Sequence, residues 1–70
     1  MMQLILANAG DTGTIKKITG SDEVRQHLAE LGFVVNEKVK IITTLNGNLI
    51  VQVKDSRIAI DRKMASRILI

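Results

Sequence analysis

Seventy residues, 46% of them hydrophobic and nearly all of those aliphatic, with a formal charge of +3 and neither cysteine nor proline, describe one small domain with a single core. The composition argues against disorder, removes disulfides and thiolate metal sites, and leaves one aromatic residue, Phe33, where a single-strand nucleic-acid binder would stack bases on several. The longest apolar runs, Leu4–Ala7 and Phe33–Val35, fall far short of the roughly 20 residues of a membrane helix, and "MMQLILANAG" lacks the basic start and apolar core of a secretory signal, so a cytoplasmic chain without direct membrane insertion is expected.

Residues 12–19, "TGTIKKIT", read as a strand with a defect. Ile15 and Ile18 are an odd number of residues apart and cannot share one face of a flat strand, so a bulge or strong curvature belongs between them. Residues 21–31, "SDEVRQHLAEL", read as a helix. Val24, Leu28 and Leu31 form an apolar stripe, Ser21 is the N-cap, and Asp22 and Glu23 favour the positive end of the helix dipole. Gly32 stops the helix in the position where a left-handed residue is common.

Residues 38–54 read as a β-hairpin turning at Asn46-Gly47. A two-residue loop is the ordinary assignment for that dipeptide, but simple counting from it sets Ile41 against Gln52. A three-residue loop, Leu45-Asn46-Gly47, sets Val39 against Val53, Ile41 against Val51 and, on the opposite face, Ile42 against Ile50. Because a one-residue slip inverts an apolar face, the three-residue loop is the expectation, with Gly47 left-handed. A turn at Asp55-Ser56 leads to a strand over 57–60. Asp61 caps a short helical turn over 61–66, and 67–70 is a closing strand. One helix among short, curved strands suggests a small barrel, which also removes exposed edges.

The chain as a whole resembles the FeoA family, the small cytoplasmic partner of the FeoB ferrous-iron transporter. Three segments carry the resemblance: "AGDTGTIKKITG", with Gly10, Gly13, Ile15, Ile18 and Gly20; "VRQHLAELGFVVNEKVKI"; and "IAIDRKMASRILI", with Ala65 in its short turn. The family often carries glycine where this chain has Asn36, and proline at the positions of Val35 and Ala9. Asn is the best non-glycine residue for a left-handed backbone, so Asn36 is expected to set the turn into the Val39 strand. The resemblance implies a single domain over 1–70: mostly β with short helices, a small SH3-like barrel with one α-helix near 21–31 and a helical turn near 61–66. It further implies a non-catalytic accessory role in ferrous-iron uptake through contact with the cytoplasmic region of FeoB. The alternative is the metal-sensing SH3-like domain of iron-dependent repressors, although 70 residues leave no room for a helix-turn-helix domain as well.

The residues themselves show no nucleophile–base set and no phosphate-binding G-x-x-x-x-G-K-[ST] loop. No cofactor is expected. Glu23, His27 and Glu30, at i, i+4 and i+7 of the helix, could give a weak divalent-metal site; the competing reading is that they are solvated helix charges. Lys16, Lys17, Lys38, Lys40 and Lys54 lie on or beside strands, and an RNA-associated SH3-like module would use them, but without interleaved aromatics no nucleic-acid partner is expected. For a protein partner the candidates are Ile42 and Ile50, either covered by the helix or forming an exposed patch, and the helix-to-strand surface of Arg25, Phe33, Val34 and Val35, in which Phe33 is alternatively a core residue.

Overall fold

The computed structural model describes all 70 residues. Residues Thr12–Thr14 (β1), Lys38–Leu45 (β3), Asn48–Val53 (β4) and Ser56–Ile60 (β5) form an antiparallel sheet in the order β1-β3-β4-β5. Lys17–Ile18 (β2) and Ile68–Leu69 (β6) form a second antiparallel pair. Asp22–Glu30 is helix α1 and Arg62–Ala65 is helix α2. The two sheets enclose one core of 13 buried residues, all hydrophobic.

The defect expected between Ile15 and Ile18 is where the chain leaves one sheet for the other. Ile15 is fully buried; its N–H donates to the Glu37 carbonyl at 2.9 Å, and its carbonyl accepts from the Asn36 N–H at 2.8 Å. One residue later the Lys16 N–H donates to Leu69 of the second sheet at 2.7 Å. The break thus leaves its polar backbone groups bonded on both sides, which burial requires. On its other side β6 meets the start of the chain: Met2 and Ile70 exchange both backbone bonds, at 2.9 and 2.8 Å. A 3₁₀ turn over Leu4–Leu6 follows and buries Leu4; nothing in the helical or alternating periodicities announces it.

The β3–β4 hairpin corrects the expected loop. Leu45 pairs with Asn48 across a two-residue turn. Asn46 and Gly47 are both left-handed, with φ of 52° and 85°, as a type I′ turn requires. Val39 nevertheless faces Val53, and Ile41 faces Val51. A β-bulge reconciles the two: between Ile41 and Thr43 the register shifts, so Thr43 rather than Ile42 lies opposite Ile50. The expected Ile42/Ile50 pair does not form, because Ile42 is the extra residue of the bulge.

Both helices begin where capping chemistry places them. The Ser21 hydroxyl accepts from the Val24 N–H at 3.3 Å, and an Asp61 carboxylate oxygen accepts from the Met64 N–H at 2.8 Å. The apolar stripe of α1 is narrower than its spacing suggests. Leu28 is buried and Val24 half-buried, but Leu31, at the C-cap, is exposed. Gly32, directly after it, takes φ +108° and turns the chain off the helix axis.

Candidate interaction surfaces

The connector between α1 and β3 is built from alternating demands. Phe33 is fully buried, and its N–H donates to the Leu28 carbonyl at 2.9 Å. It is a core residue and offers nothing to a partner, which removes it from the expected contact set. Its neighbours do the reverse: Leu31, Val34 and Val35 are 36%, 39% and 53% exposed. The Glu37 N–H closes a turn on the Val34 carbonyl at 3.1 Å, with Asn36 at φ +76°. That is the left-handed third position of a type II turn, whose second position, here Val35, stands at the outer corner. The turn is anchored through Asn36 and Glu37 to Ile15, so the apolar corner rests on bonded backbone. Arg25 is exposed on α1, ion-paired with Asp22 one turn earlier.

The outer face of the larger sheet is basic. Register carries one row across all four strands: Thr12 opposite Lys40, Lys40 opposite Gln52, and Gln52 opposite Arg57. Lys38 faces Thr14 in the adjoining row. Lys54, left-handed at the β4–β5 turn (φ 54°), places its Nζ 3.6 Å from Glu37. Lys38, Lys40 and Arg57 have no carboxylate within 4.0 Å. Farther along the same face come Thr43, Ile50 and Ala59. Ile42 and Ile50 are both half-buried, and neither packs against the core cluster.

A shallow groove, which sequence reasoning did not anticipate, runs between the 3₁₀ turn (Ile5, Leu6), the β3–β4 turn (Asn46–Asn48) and the start of α2 (Asp61–Lys63). Leu6 is exposed there. The run "LILA" carried the only signal: three large aliphatic side chains in a row cannot all enter a core this small.

Glu23, His27 and Glu30 are all exposed on α1. No group of three or more His, Asp or Glu side chains in the structure is gathered closely enough to hold a metal ion. Carboxylates in a first turn are held there by the dipole and by water.

Fold and surface together define a small SH3-like β domain with exposed apolar residues at one corner and a basic outer sheet face. The particular family follows from likeness along the whole chain: the FeoA domain family model matches residues 2–70, and the chain belongs to that family. It is 34% identical over 70 residues to the "Putative Fe(2+) transport protein A" of Methanocaldococcus jannaschii, covering all of this chain and 85% of that one. The zinc complex of Stenotrophomonas maltophilia FeoA, described as a procaryotic SH3 domain protein, superposes with a TM-score of 0.84 at 25% identity, covering 99% of this chain and 88% of that one. A manganese-dependent transcriptional repressor shares the fold at TM-score 0.87 and 20% identity, over 94% of this chain and 38% of the repressor.

Proposed function

We propose that this chain is a non-catalytic cytoplasmic accessory protein of ferrous-iron uptake, acting by contact with the cytoplasmic region of a FeoB-type transporter. Family membership supplies the iron-transport context. The observation that carries the contact reading is the connector: Leu31, Val34 and Val35 are exposed while Phe33 between them is buried and Asn36 is hydrogen-bonded to Ile15. Apolar side chains held on a fixed backbone lose little conformational entropy on docking. The adjacent lysines would steer the domain towards acidic surface. No helix is long and apolar enough to cross a membrane. In this reading ferrous ion is the transporter's cargo, and no residue of this chain is assigned to it.

The test is capture of the transporter's purified cytoplasmic region by the wild-type protein, Val34→Glu and Ile42→Glu. Loss of capture by Val34→Glu, with an unchanged far-UV circular dichroism spectrum, supports the connector. Full capture by a folded Val34→Glu protein overturns it, and loss with Ile42→Glu alone moves the contact to the β3 bulge.

A further inference from the structure

We propose that β5 is a docking edge for an acidic, extended segment of a partner protein, which adds to the sheet as a fifth strand. The inference rests on the reading that this chain works by protein contact, and does not depend on which protein it contacts.

The backbone supplies half of the case. β5 pairs with β4 and ends the sheet. Val53 and Ser56 face each other across a two-residue turn, so this pair exchanges both of its backbone hydrogen bonds, and by alternation Ile58 and Ile60 also bond to β4. Arg57 and Ala59 therefore direct their N–H and C=O groups away from the sheet, and no turn or loop backbone group takes them up. In the smaller sheet β6 is flanked by β2 and by Met2 and Gln3, and β2 is two residues long; the opposite edge of the larger sheet, β1, is three residues long. Strand addition uses this kind of row, with main-chain bonds giving affinity and alternate side chains giving specificity.

The side chains choose the occupant. Arg57 stands at the rim of the row that holds Lys40 and Gln52, with Lys38 and Lys54 beside it, and Arg57, Lys38 and Lys40 lack acidic partners. A second copy of the chain, antiparallel about Ile58, would satisfy the hydrogen bonds by setting Arg57 against Ala59. It would also bring the two Arg57 side chains to diagonal positions, within reach of each other, and join two basic faces, each on a chain of charge +3, which repel. A strand with carboxylates on alternate residues reverses that sign. One carboxylate lies opposite Arg57, and an apolar residue lies on the inner face opposite Ile58, which packs against the core. A nucleic acid has no backbone pattern to match the open N–H and C=O row, and the chain has no exposed aromatic to stack a base.

The experiment uses a labelled synthetic peptide, Glu-Val-Asp-Val-Glu-Val-Asp, its counterpart with lysine at every acidic position, and a short RNA oligonucleotide. Binding is read by fluorescence anisotropy at low and high salt, and by amide NMR. The acidic peptide should bind about tenfold tighter than the lysine peptide at low salt, lose affinity with salt, and shift the Arg57 and Ala59 amides. Ala59→Pro removes only an outward-facing N–H, a substitution edge strands accept, and should weaken binding about tenfold. Arg57→Glu, on an exposed side chain, should weaken the acidic peptide and favour the lysine one. Equal binding of the two peptides, indifference to both substitutions, or tighter binding of the RNA overturns the proposal. So does dimerisation of the free chain that Ala59→Pro abolishes, because it gives the edge to a second copy. Each of these failures leaves the Val34→Glu capture result standing, so the two readings fall separately.

Discussion

Asn36 is the residue whose backbone angle the connector depends on, and its side chain makes no hydrogen bond within the protein. In Asn36→Gly, relief of the left-handed strain offsets the larger unfolded-state entropy of glycine, and stability should stay within about 0.5 kcal/mol of wild type. In Asn36→Ala, φ +76° must be held by a residue with a Cβ and no compensating polar side chain. The left-handed conformation costs an ordinary residue roughly 1–2 kcal/mol, of which Asn already bears part, so a loss of about 1 kcal/mol is expected. For a domain of this size that is a fall of about 4–8 °C in Tm. Thermal unfolding followed by far-UV circular dichroism is the assay, since the chain has neither tryptophan nor tyrosine. Equal stability of the Ala and Gly variants would refute the backbone argument. A loss of 1 kcal/mol or more in the Gly variant would show that the Asn side chain itself carries the turn.

Three further outcomes follow from the packing, each read by the same unfolding assay. Phe33→Ala, at a fully buried site, should cost about 3–5 kcal/mol, against a total of roughly 4–10 kcal/mol for a domain of this length; lost partner capture by this variant would report unfolding. Asp61→Ala removes the acceptor of the Met64 N–H and should cost about 1 kcal/mol, with Asp61→Asn restoring most of it. Gly13→Ala sets a Cβ 2.8 Å from Ile70 Cδ1 and 3.1 Å from Ile70 Cβ, so it should destabilise by about 1–3 kcal/mol, and trimming the neighbour in Gly13→Ala/Ile70→Val should recover part of that.

Much of the fold was legible because local chemistry and apolar pattern agreed. Ser21, Asp61 and Gly32 mark helix ends by mechanisms that act within four residues, and the odd spacing of Ile15 and Ile18 required a break wherever the strand went. In the hairpin two local signals conflict. Asn46-Gly47 asked for a two-residue turn, the Val39 and Ile41 pattern asked for a register such a turn cannot give, and the resolution lay in neither. Ile42 bulges, and both signals hold. A bulge leaves little trace in hydrophobic alternation, since its extra residue is half-buried. The 3₁₀ turn at Leu4–Leu6 was invisible for a different reason: its place is fixed by the pairing of Met2 with Ile70, a contact between chain ends that no local window contains. Of the candidate surface, adjacency implies that one of Val34 and Val35 faces outward in extended backbone; both are exposed because the chain turns there, and Phe33 is assigned to the core only by tertiary packing. The β5 edge needs sheet order, which composition and periodicity do not supply.

The apolar corner and the basic face are not independent surfaces, and Glu37 is the reason. Its N–H closes the turn on Val34, its carbonyl receives the Ile15 N–H, and its side chain faces Lys54 at the turn into β5. Lys54 is about two-thirds exposed and Glu37 about one-quarter, so the ion pair itself adds little to stability. What it does is positional. The residue that fixes the Val34–Val35 corner also meets Lys54 of the turn that begins the open edge, so a partner seated on the apolar corner would lie beside Lys54. An apolar anchor next to exposed cations is the arrangement that combines slow dissociation, from the buried aliphatic contact, with fast, salt-sensitive encounter, from the charges. Because the corner depends on one backbone angle and the edge on hydrogen-bond parity, the domain holds both in register without any buried polar side chain.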